Sequence, residues 1–438
     1  MQQPTNRSTD SKRTVYIVDG ARSPFLKFRG QPGPFSAADL AVQSGRALLA
    51  NQPFSAQDVD QVILGCVGPS EEEANIGRVV SLRLGCGKQT PAWTVQRNCA
   101  SGLQSIDSAW QNIALGRSDL VLAGGTEAMS RAPLLFNQRM VMWLSHLQRS
   151  KTIGKKLQSI ARFRPHFLTP VIALMKGLTD PVVNINMGQT AEEIAFRFGI
   201  TRQEMDAFAV ESHLRVVQAQ KDHNFDEIEA LYGYDGKVYE DDDGVRADSS
   251  VEKLAKLKPV FDKHGSITPG NSSQITDGAA WTILASADAV KKHNLPVLAK
   301  IVDVEWGGVD PSVMGLGPVH AITPILQNNN LNFSDIDRME INEAFAAQVM
   351  GCLRAWQDED YCRKELNLEH SFGAFDINKL NPEGGAIALG HPVGASGARI
   401  VCHSAKMLAK NQQNRAVASL CIGGGQGGAI LIERVTEV

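Results

Sequence analysis

Two cysteines and one histidine stand in surroundings suited to nucleophilic attack and proton transfer. Cys99 lies in Arg97-Asn98-Cys99-Ala100-Ser101-Gly102, where a short strand-like run gives way to an amphipathic helical pattern from about Ala100 to Leu115. A helix N-terminus carries roughly half a positive charge and unpaired N–H groups, so it favours thiolate over thiol. The small neighbours leave room for a substrate carbonyl. A Cys in such a place otherwise serves as a small apolar packing residue, and Cys66, Cys86, Cys352, Cys362 and Cys402 are read that way. Cys421 closes a strand-like run and opens Cys421-Ile422-Gly423-Gly424-Gly425-Gln426-Gly427-Gly428. Such a run lets ligand atoms meet backbone N–H groups, which suits an oxyanion or an extended thiol chain. A dinucleotide loop would need a helix after the glycines. Here Ala429-Ile430-Leu431-Ile432 reads as a strand, so a strand–turn–strand hairpin is expected.

His391 lies in Gly390-His391-Pro392-Val393-Gly394-Ala395-Ser396-Gly397. Held between Gly and Pro before a helix, it suits a proton carrier near neutral pH. Asn342, in Asn342-Glu343-Ala344-Phe345, sits at a strand end, where its amide can hold a water, donate to a developing negative charge, or cap the next helix. No CxxC or HxxxH pairing accompanies these residues, so no metal is expected.

The elements that must position these groups come in two similar sets. Strand-like Thr14 to Val18, a helical Asp39 to Ala50, strand-like Gln61 to Leu64, the helix after Cys99 and a buried-type strand Leu120 to Ala123 follow in order. Val297 to Val304, Ala321 to Gln327, Met339 to Asn342, a helix opening at Ala395-Ser396-Gly397 and a strand Ala416 to Cys421 repeat that order. Three short matches support a duplication. Phe54-Ser55 with Asp58-Val59-Asp60 matches Phe333-Ser334 with Asp335-Ile336-Asp337; Ala100-Ser101-Gly102 matches Ala395-Ser396-Gly397; and Gly124-Gly125 matches Gly423-Gly424-Gly425. Strands alternating with helices predict a parallel sheet covered by helices. The expected organisation is an amino-terminal α/β half (1–130 with about 250–295), an inserted basic loop domain (131–249) and a carboxy-terminal α/β half (296–438).

Between Arg131 and Thr179 the chain has nine Lys or Arg and no Asp or Glu, leaving −12 on the remainder of a protein whose net charge is −3. Apolar residues recur there at helical spacing, as in Met140, Trp143, Leu144 and Leu147, then Ile153, Leu157 and Ile160. A basic amphipathic segment can lie on an anionic membrane or in a partner's groove, or turn its charge to water and ligand phosphates. The acidic run Glu240-Asp241-Asp242-Asp243-Gly244 reads as a solvated loop.

The 438 residues suggest about three domains. With 43% hydrophobic and 21% charged residues the chain has enough apolar surface for several cores. The slightly negative net charge argues against nucleic acid as a partner. No apolar run reaches the ~18 residues of a membrane span. The first dozen residues lack a signal peptide's apolar core, and seven scattered cysteines make no disulfide framework. A cytoplasmic location is expected.

Taken together, the segments Asn98-Cys99-Ala100-Ser101-Gly102, Asn342-Glu343-Ala344-Phe345, Gly390 to Gly397 and Cys421 to Gly427 resemble the thiolase family, the CoA-dependent 3-ketoacyl thiolases and acetyl-CoA acetyltransferases. The resemblance spans essentially the whole chain, from Tyr16 onward. It implies a thiolase-like α/β fold, two duplicated halves in αβαβα layers with an inserted loop domain. It also implies an acyltransferase that cleaves 3-ketoacyl-CoA in fatty-acid β-oxidation, with CoA as co-substrate and no permanently bound cofactor. In the family's scheme Cys99 takes up the acyl group and His391 deprotonates it and later CoA. Cys421 exchanges the proton at the α-carbon of acetyl-CoA. One oxyanion site would use His391 and a water on Asn342, the other the N–H groups of Cys99 and Gly423. Met187 and Met314 resemble residues lining the acyl and pantetheine pocket; Ser273 and Arg246 resemble contacts to CoA.

The same resemblance implies a homodimer or dimer-based tetramer. The insertion looks like that of the β subunits of the trifunctional fatty-acid oxidation complex, which meets a membrane or a hydratase/dehydrogenase α subunit. Residues 139–178 would be the docking segment here, placing the protein at the inner membrane. Those β subunits usually carry His where this chain has Asn342. Two other readings are a biosynthetic acetyl-CoA acetyltransferase and a non-catalytic lipid-binding protein of the same fold. Condensing enzymes acting on carrier proteins typically use a Cys with two His, which Asn342 and Cys421 do not supply.

Overall fold

A computed structural model of the protein describes residues 13–436, so the expectation drawn from the first dozen residues falls outside the described residues. The chain builds β1 (Val15–Arg22), β2 (Gln61–Gly65), β3 (Ala92–Val95), β4 (Leu120–Ala128) and β5 (Thr276–Ser286) in its first half. The second half supplies β6 (Ala299–Gly308), β7 (Arg338–Ile341), β8 (Arg415–Ile422) and β9 (Gln426–Arg434). Their spatial order is β7-β8-β9-β6-β1-β5-β4-β2-β3, with a short strand Leu26–Lys27 beside β5. Within the sheet the halves join where Tyr16 and Ile17 of β1 pair with Lys300 and Ala299 of β6.

The duplication is visible strand by strand. β1–β5 and β6–β9 are antiparallel, as are β5–β4 and β9–β8, whereas β4–β2 and β8–β7 are parallel. The register shifts at Ile17/Asp19 in β1 and at Ile301/Asp303 in β6, so both strands carry the same bulge. Asp60 accepts the N–H groups that open β4, from Asp119 at 2.7 Å and Leu120 at 2.9 Å; Asp337 does the same for β8, from Asn414 at 2.7 Å and Arg415 at 3.1 Å.

The sheet is mixed, not parallel as the alternation of elements predicts. Two features turn it. The hairpin β8–β9 reverses at three glycines, and the long insertion between β4 and β5 lets the chain re-enter antiparallel. Every residue of β4 and β5 is buried, because helices cover both faces.

Helices α1 (Ala37–Ala50) and α2 (Ile76–Leu84) cover the outside of the first half, and α4 (Gly317–Asn328) and α5 (Ala346–Gln357) the outside of the second. Helices α3 (Ser101–Ala114) and α6 (Val393–Lys410) lie between the two halves of the sheet. There Leu103, Ile106 and Ile113 of α3 meet Ile400, Val401 and Leu408 of α6, between Val121 of β4 and Ile430 of β9. Fully burying each such side chain stabilises the fold by about 1.5–3 kcal/mol, so this helix pair welds the halves. The result is the layered αβαβα arrangement. A Cβ on Gly102 would sit 2.9 Å from the Gly394 carbonyl oxygen, so only glycine allows the first turns of α3 and α6 to touch. Helix α6 starts at Val393, two residues before the expected Ala395, with Pro392 as its cap.

The basic segment forms a two-stranded sheet, Leu134–Phe136 with Pro170–Ile172, and helices Gln138–Arg149, Ile153–Ala161 and Ala173–Gly177. Its apolar stripe is mostly uncovered: Met140 alone is buried in the first helix and no residue in the second. Helices Met187–Arg197 and Arg202–Lys221 instead pack on the second half, where Ile194 and Met205 join the core around Leu316 and Val349.

The acidic run corrects its expected role. Asp242 is buried and grips the Arg22 guanidinium with both oxygens at 2.7 Å. A carboxylate can leave water when a guanidinium matches it bidentately, and Arg22 also meets Glu227 at 3.4 Å.

Candidate active site

Cys99 ends the loop before α3, half-buried and opening on a cavity of about 410 Å³. The N–H groups of Gly423 and of Cys99 itself both act to lower the thiol's pKa, which sets the glycine hairpin beside this sulfur. Asn98 secures the junction: its Nδ2 donates to the Gly423 carbonyl at 2.7 Å. Gly424 and Gly425 turn the β8–β9 hairpin with φ of +95° and +79°, a backbone region open mainly to glycine. Burial nevertheless pushes the Cys99 thiol up, and the two amides offset this only in part. The helix end therefore does not yield a resting thiolate, as the sequence suggests it would; desolvation outweighs it.

His391 is buried beside the first turn of α6. Its Nδ1 lies 2.6 Å from Ser396 Oγ, which itself donates to the Pro392 carbonyl at 3.1 Å. The hydroxyl's one proton is thus committed, so Oγ accepts from Nδ1–H and Nε2 is left as the base. Burial, with Arg399 nearby, pulls His391 down to about 4. At neutral pH it is an uncharged acceptor, not a group titrating there. Asn342 Nδ2 stands 3.4 Å from Nδ1 and 3.5 Å from Nε2, level with the ring, and its Oδ1 is buried with no hydrogen-bond partner among the described residues. Cys421 lies one residue before the end of β8, buried, its thiol pushed well up by burial and then by Cys99; it does not line the cavity.

The cavity wall joins Cys99, Gly423 and Met187 to Met129, Leu174 and Leu178. Met187 is therefore at the site, with its sulfur against Gly423. Met314 is buried in the outer core of the second half, in one cluster with Cys421, and does not line this cavity. Ser273 donates its N–H to Ala344 at 2.9 Å, and neighbouring Gln274 accepts the His391 N–H at 3.1 Å, so that loop abuts both Asn342 and His391. Arg246 is exposed, its N–H on His213 Nδ1 at 3.2 Å, and its charge helps to lower Lys27 after burial. Lys27 is a cation that the sequence reading missed.

Ser396 and Asn98 were visible as polar residues inside the two motifs, although their roles depend on geometry. Glu127, another wall residue, had as its signal a lone acid closing an otherwise apolar strand. One buried trio, Glu340, Glu383 and His403, has the spacing of metal ligands. It is engaged instead with Arg338 and with Arg399, and His403 bridges Glu383 at 3.4 Å and Glu227 at 3.0 Å.

Residues 15–288 match the family model for the thiolase N-terminal domain, and residues 295–434 that for the thiolase C-terminal domain. The chain is 39% identical to human mitochondrial 3-ketoacyl-CoA thiolase over 96% of its own length and 98% of that protein. It is 37% identical to beta-ketoadipyl-CoA thiolase of Pseudomonas knackmussii over 97% of its length and all of that protein. Among solved structures, human mitochondrial 3-ketoacyl-CoA thiolase in complex with CoA superposes with a TM-score of 0.83 at 38% identity, covering 97% of this chain and 98% of that one. The Bacillus anthracis acetyl-CoA acetyltransferase does so with a TM-score of 0.83 at 34% identity, covering 98% and 100%. With Cys99 before α3 of the first half meeting the glycine hairpin of the second half at one cavity, and both family domains matched, this chain belongs to the thiolase family of acyltransferases.

Proposed function

We propose that the chain is a 3-ketoacyl-CoA thiolase, cleaving 3-ketoacyl-CoA with CoA to acetyl-CoA and a shortened acyl-CoA in fatty-acid β-oxidation. Cys99 Sγ attacks the keto carbon while His391 Nε2 takes its proton; the alkoxide draws on the imidazolium and on a water held by Asn342. Collapse breaks the carbon–carbon bond, leaving the acyl group on Cys99 and the acetyl-CoA enolate, which takes a proton from Cys421. The His391 proton passes to the Cys421 thiolate as acetyl-CoA leaves, restoring both groups. CoA then gives its thiol proton to His391 and attacks the Cys99 thioester, whose oxyanion meets the N–H groups of Cys99 and Gly423, and the expelled Cys99 thiolate recovers that proton. Sulfur suits both steps, being a soft nucleophile and a good leaving group.

The observation that carries this reading is that Cys99 of the first half and Gly423 of the second line one cavity, held together by the Asn98 bond to the Gly423 carbonyl. Arg246 with Lys27 would meet CoA phosphates and Ser273 the pantetheine, within the three-part division 1–130 with 250–295, 131–249 and 296–438. A cavity of about 410 Å³ favours acyl groups larger than acetyl over the acetyltransferase reading. The test is thiolysis of 3-ketoacyl-CoA followed chromatographically: Cys99→Ala should yield no acetyl-CoA, and Cys421→Ala should retain acylation while losing turnover. Parent-level turnover in Cys99→Ala would refute the assignment.

We also propose that the protein is cytoplasmic and rests on an anionic inner-membrane surface. Exposed Leu134, Phe136, Ile153 and Leu157 alternate there with Lys155 and Lys156, and among the described residues no helix is long and apolar enough to cross a membrane. Co-sedimentation with vesicles containing anionic lipid should fall when 139–178 is deleted; unchanged sedimentation, or binding only to a hydratase/dehydrogenase partner, would overturn it. Edge strand β3, with Trp93 37% exposed, is the proposed seam of a homodimer, testable by analytical ultracentrifugation.

A further inference from the structure

Apart from Cys99 itself, the cavity has only acids as ionisable groups, and burial raises one of them, Glu127, to about 7. The cavity wall holds two carboxyl groups, Glu127 and Asp180, and no Lys, Arg or His. Both are buried, at 3% and 2% exposure. Glu127 takes its hydrogen bonds from backbone amides, Val67 and Gly68 at 2.9 Å and Gly394 at 3.1 Å, with the Cys66 thiol at 3.9 Å. No cation pairs with it among these contacts. Asp180 Oδ1 accepts from Val182 at 2.8 Å and Val183 at 3.1 Å, while its Oδ2 is buried with no partner among the described residues. Apolar groups such as Met129, Pro133, Leu174 and Leu178 make up much of the remaining wall. The cations nearest in sequence, Arg131 and Lys176, are exposed and do not line the cavity.

An acyl chain ending in a methyl group entering this wall loses only water. A chain ending in a carboxylate would lose its hydration, gain no cation and face charge of its own sign, a repulsive design that discriminates between substrates. We infer that the cavity selects 3-ketoacyl chains with an apolar terminus and rejects those with a terminal carboxylate, and that Asp180 is the residue setting this choice. The inference rests on the thiolase reading and names its substrate class.

A matched pair of substrates tests it: 3-ketohexanoyl-CoA and 3-ketoadipyl-CoA have equally long acyl chains and differ at the terminus. For the full-length enzyme, kcat/KM for the first should exceed that for the second by about 100-fold or more, the scale of several kcal/mol for like charges brought together. Asp180→Asn keeps an oxygen for the Val182 and Val183 amides but removes the charge, and should narrow the ratio by ~10-fold. Val182→Lys, at a wall position 75% exposed and so tolerant of the change, should narrow it by supplying a cation. Cleavage of 3-ketohexanoyl-CoA with a ratio under about tenfold would overturn the selection, and a ratio unmoved by either variant would overturn the role of Asp180. If neither substrate is cleaved, the thiolase reading fails instead.

Discussion

The protonation state of the resting site can be read from the rate at which Cys99 is alkylated. Burial raises this thiol above its ordinary 9.0 and lowers His391 from 6.5 to about 4. A thiol at its ordinary value is only about 1% thiolate at pH 7, and Cys99 lies below that. A base with a pKa of about 4 is roughly 0.1% imidazolium at that pH. A preformed thiolate–imidazolium pair is therefore scarce, and the proton moves only when substrate is attacked. Iodoacetamide labelling of Cys99, followed by peptide mass spectrometry, should rise ~10-fold per unit from pH 6 to pH 8 with no plateau. The sign follows from the direction of the shift, since a raised thiol gains its anion only as pH climbs. A rate flat between pH 5.5 and 8 would show an ion pair already present and refute the reasoning.

Ser396→Ala removes the acceptor that fixes the His391 tautomer; kcat for thiolysis should fall ~10- to 100-fold with KM for CoA little changed. Arg22→Met leaves Asp242 buried without its cation and takes from Glu227 one of two, His403 remaining, and should cost about 3–5 kcal/mol in urea unfolding. His403, held between Glu227 and Glu383, is raised from 6.5 to about 9 despite its burial. Its contribution to stability is complete below pH 6.5 and lost as pH rises through about 9. Thermal scans should thus show a decline in melting temperature across that window that His403→Gln flattens.

What the sequence makes legible is what short segments encode. Phe54 to Asp60 and Phe333 to Asp337 mark the duplication because each closes a 3-10 turn with a capping box and then opens a partner strand. The bulged Ile17-Val18-Asp19 and Ile301-Val302-Asp303 carry the same signal, unremarked in the sequence reading. The glycine hairpin is legible because its turn chemistry is local. Strand direction is not, since it depends on where the insertion returns the chain. Asp242 looks solvated because its partner, Arg22, lies 220 residues away. Cys99, His391 and Cys421 are legible as motifs, but their protonation states depend on burial, which no motif contains.

The central claim is that Cys99 becomes the acyl carrier. Intact-protein and peptide mass spectrometry of the Cys421→Ala variant incubated with acetyl-CoA should show an acyl mass on the Cys99 peptide that added CoA removes. Turnover of 3-ketoacyl-CoA by the parent enzyme with no acyl group on Cys99, or with the label on another residue, would contradict it.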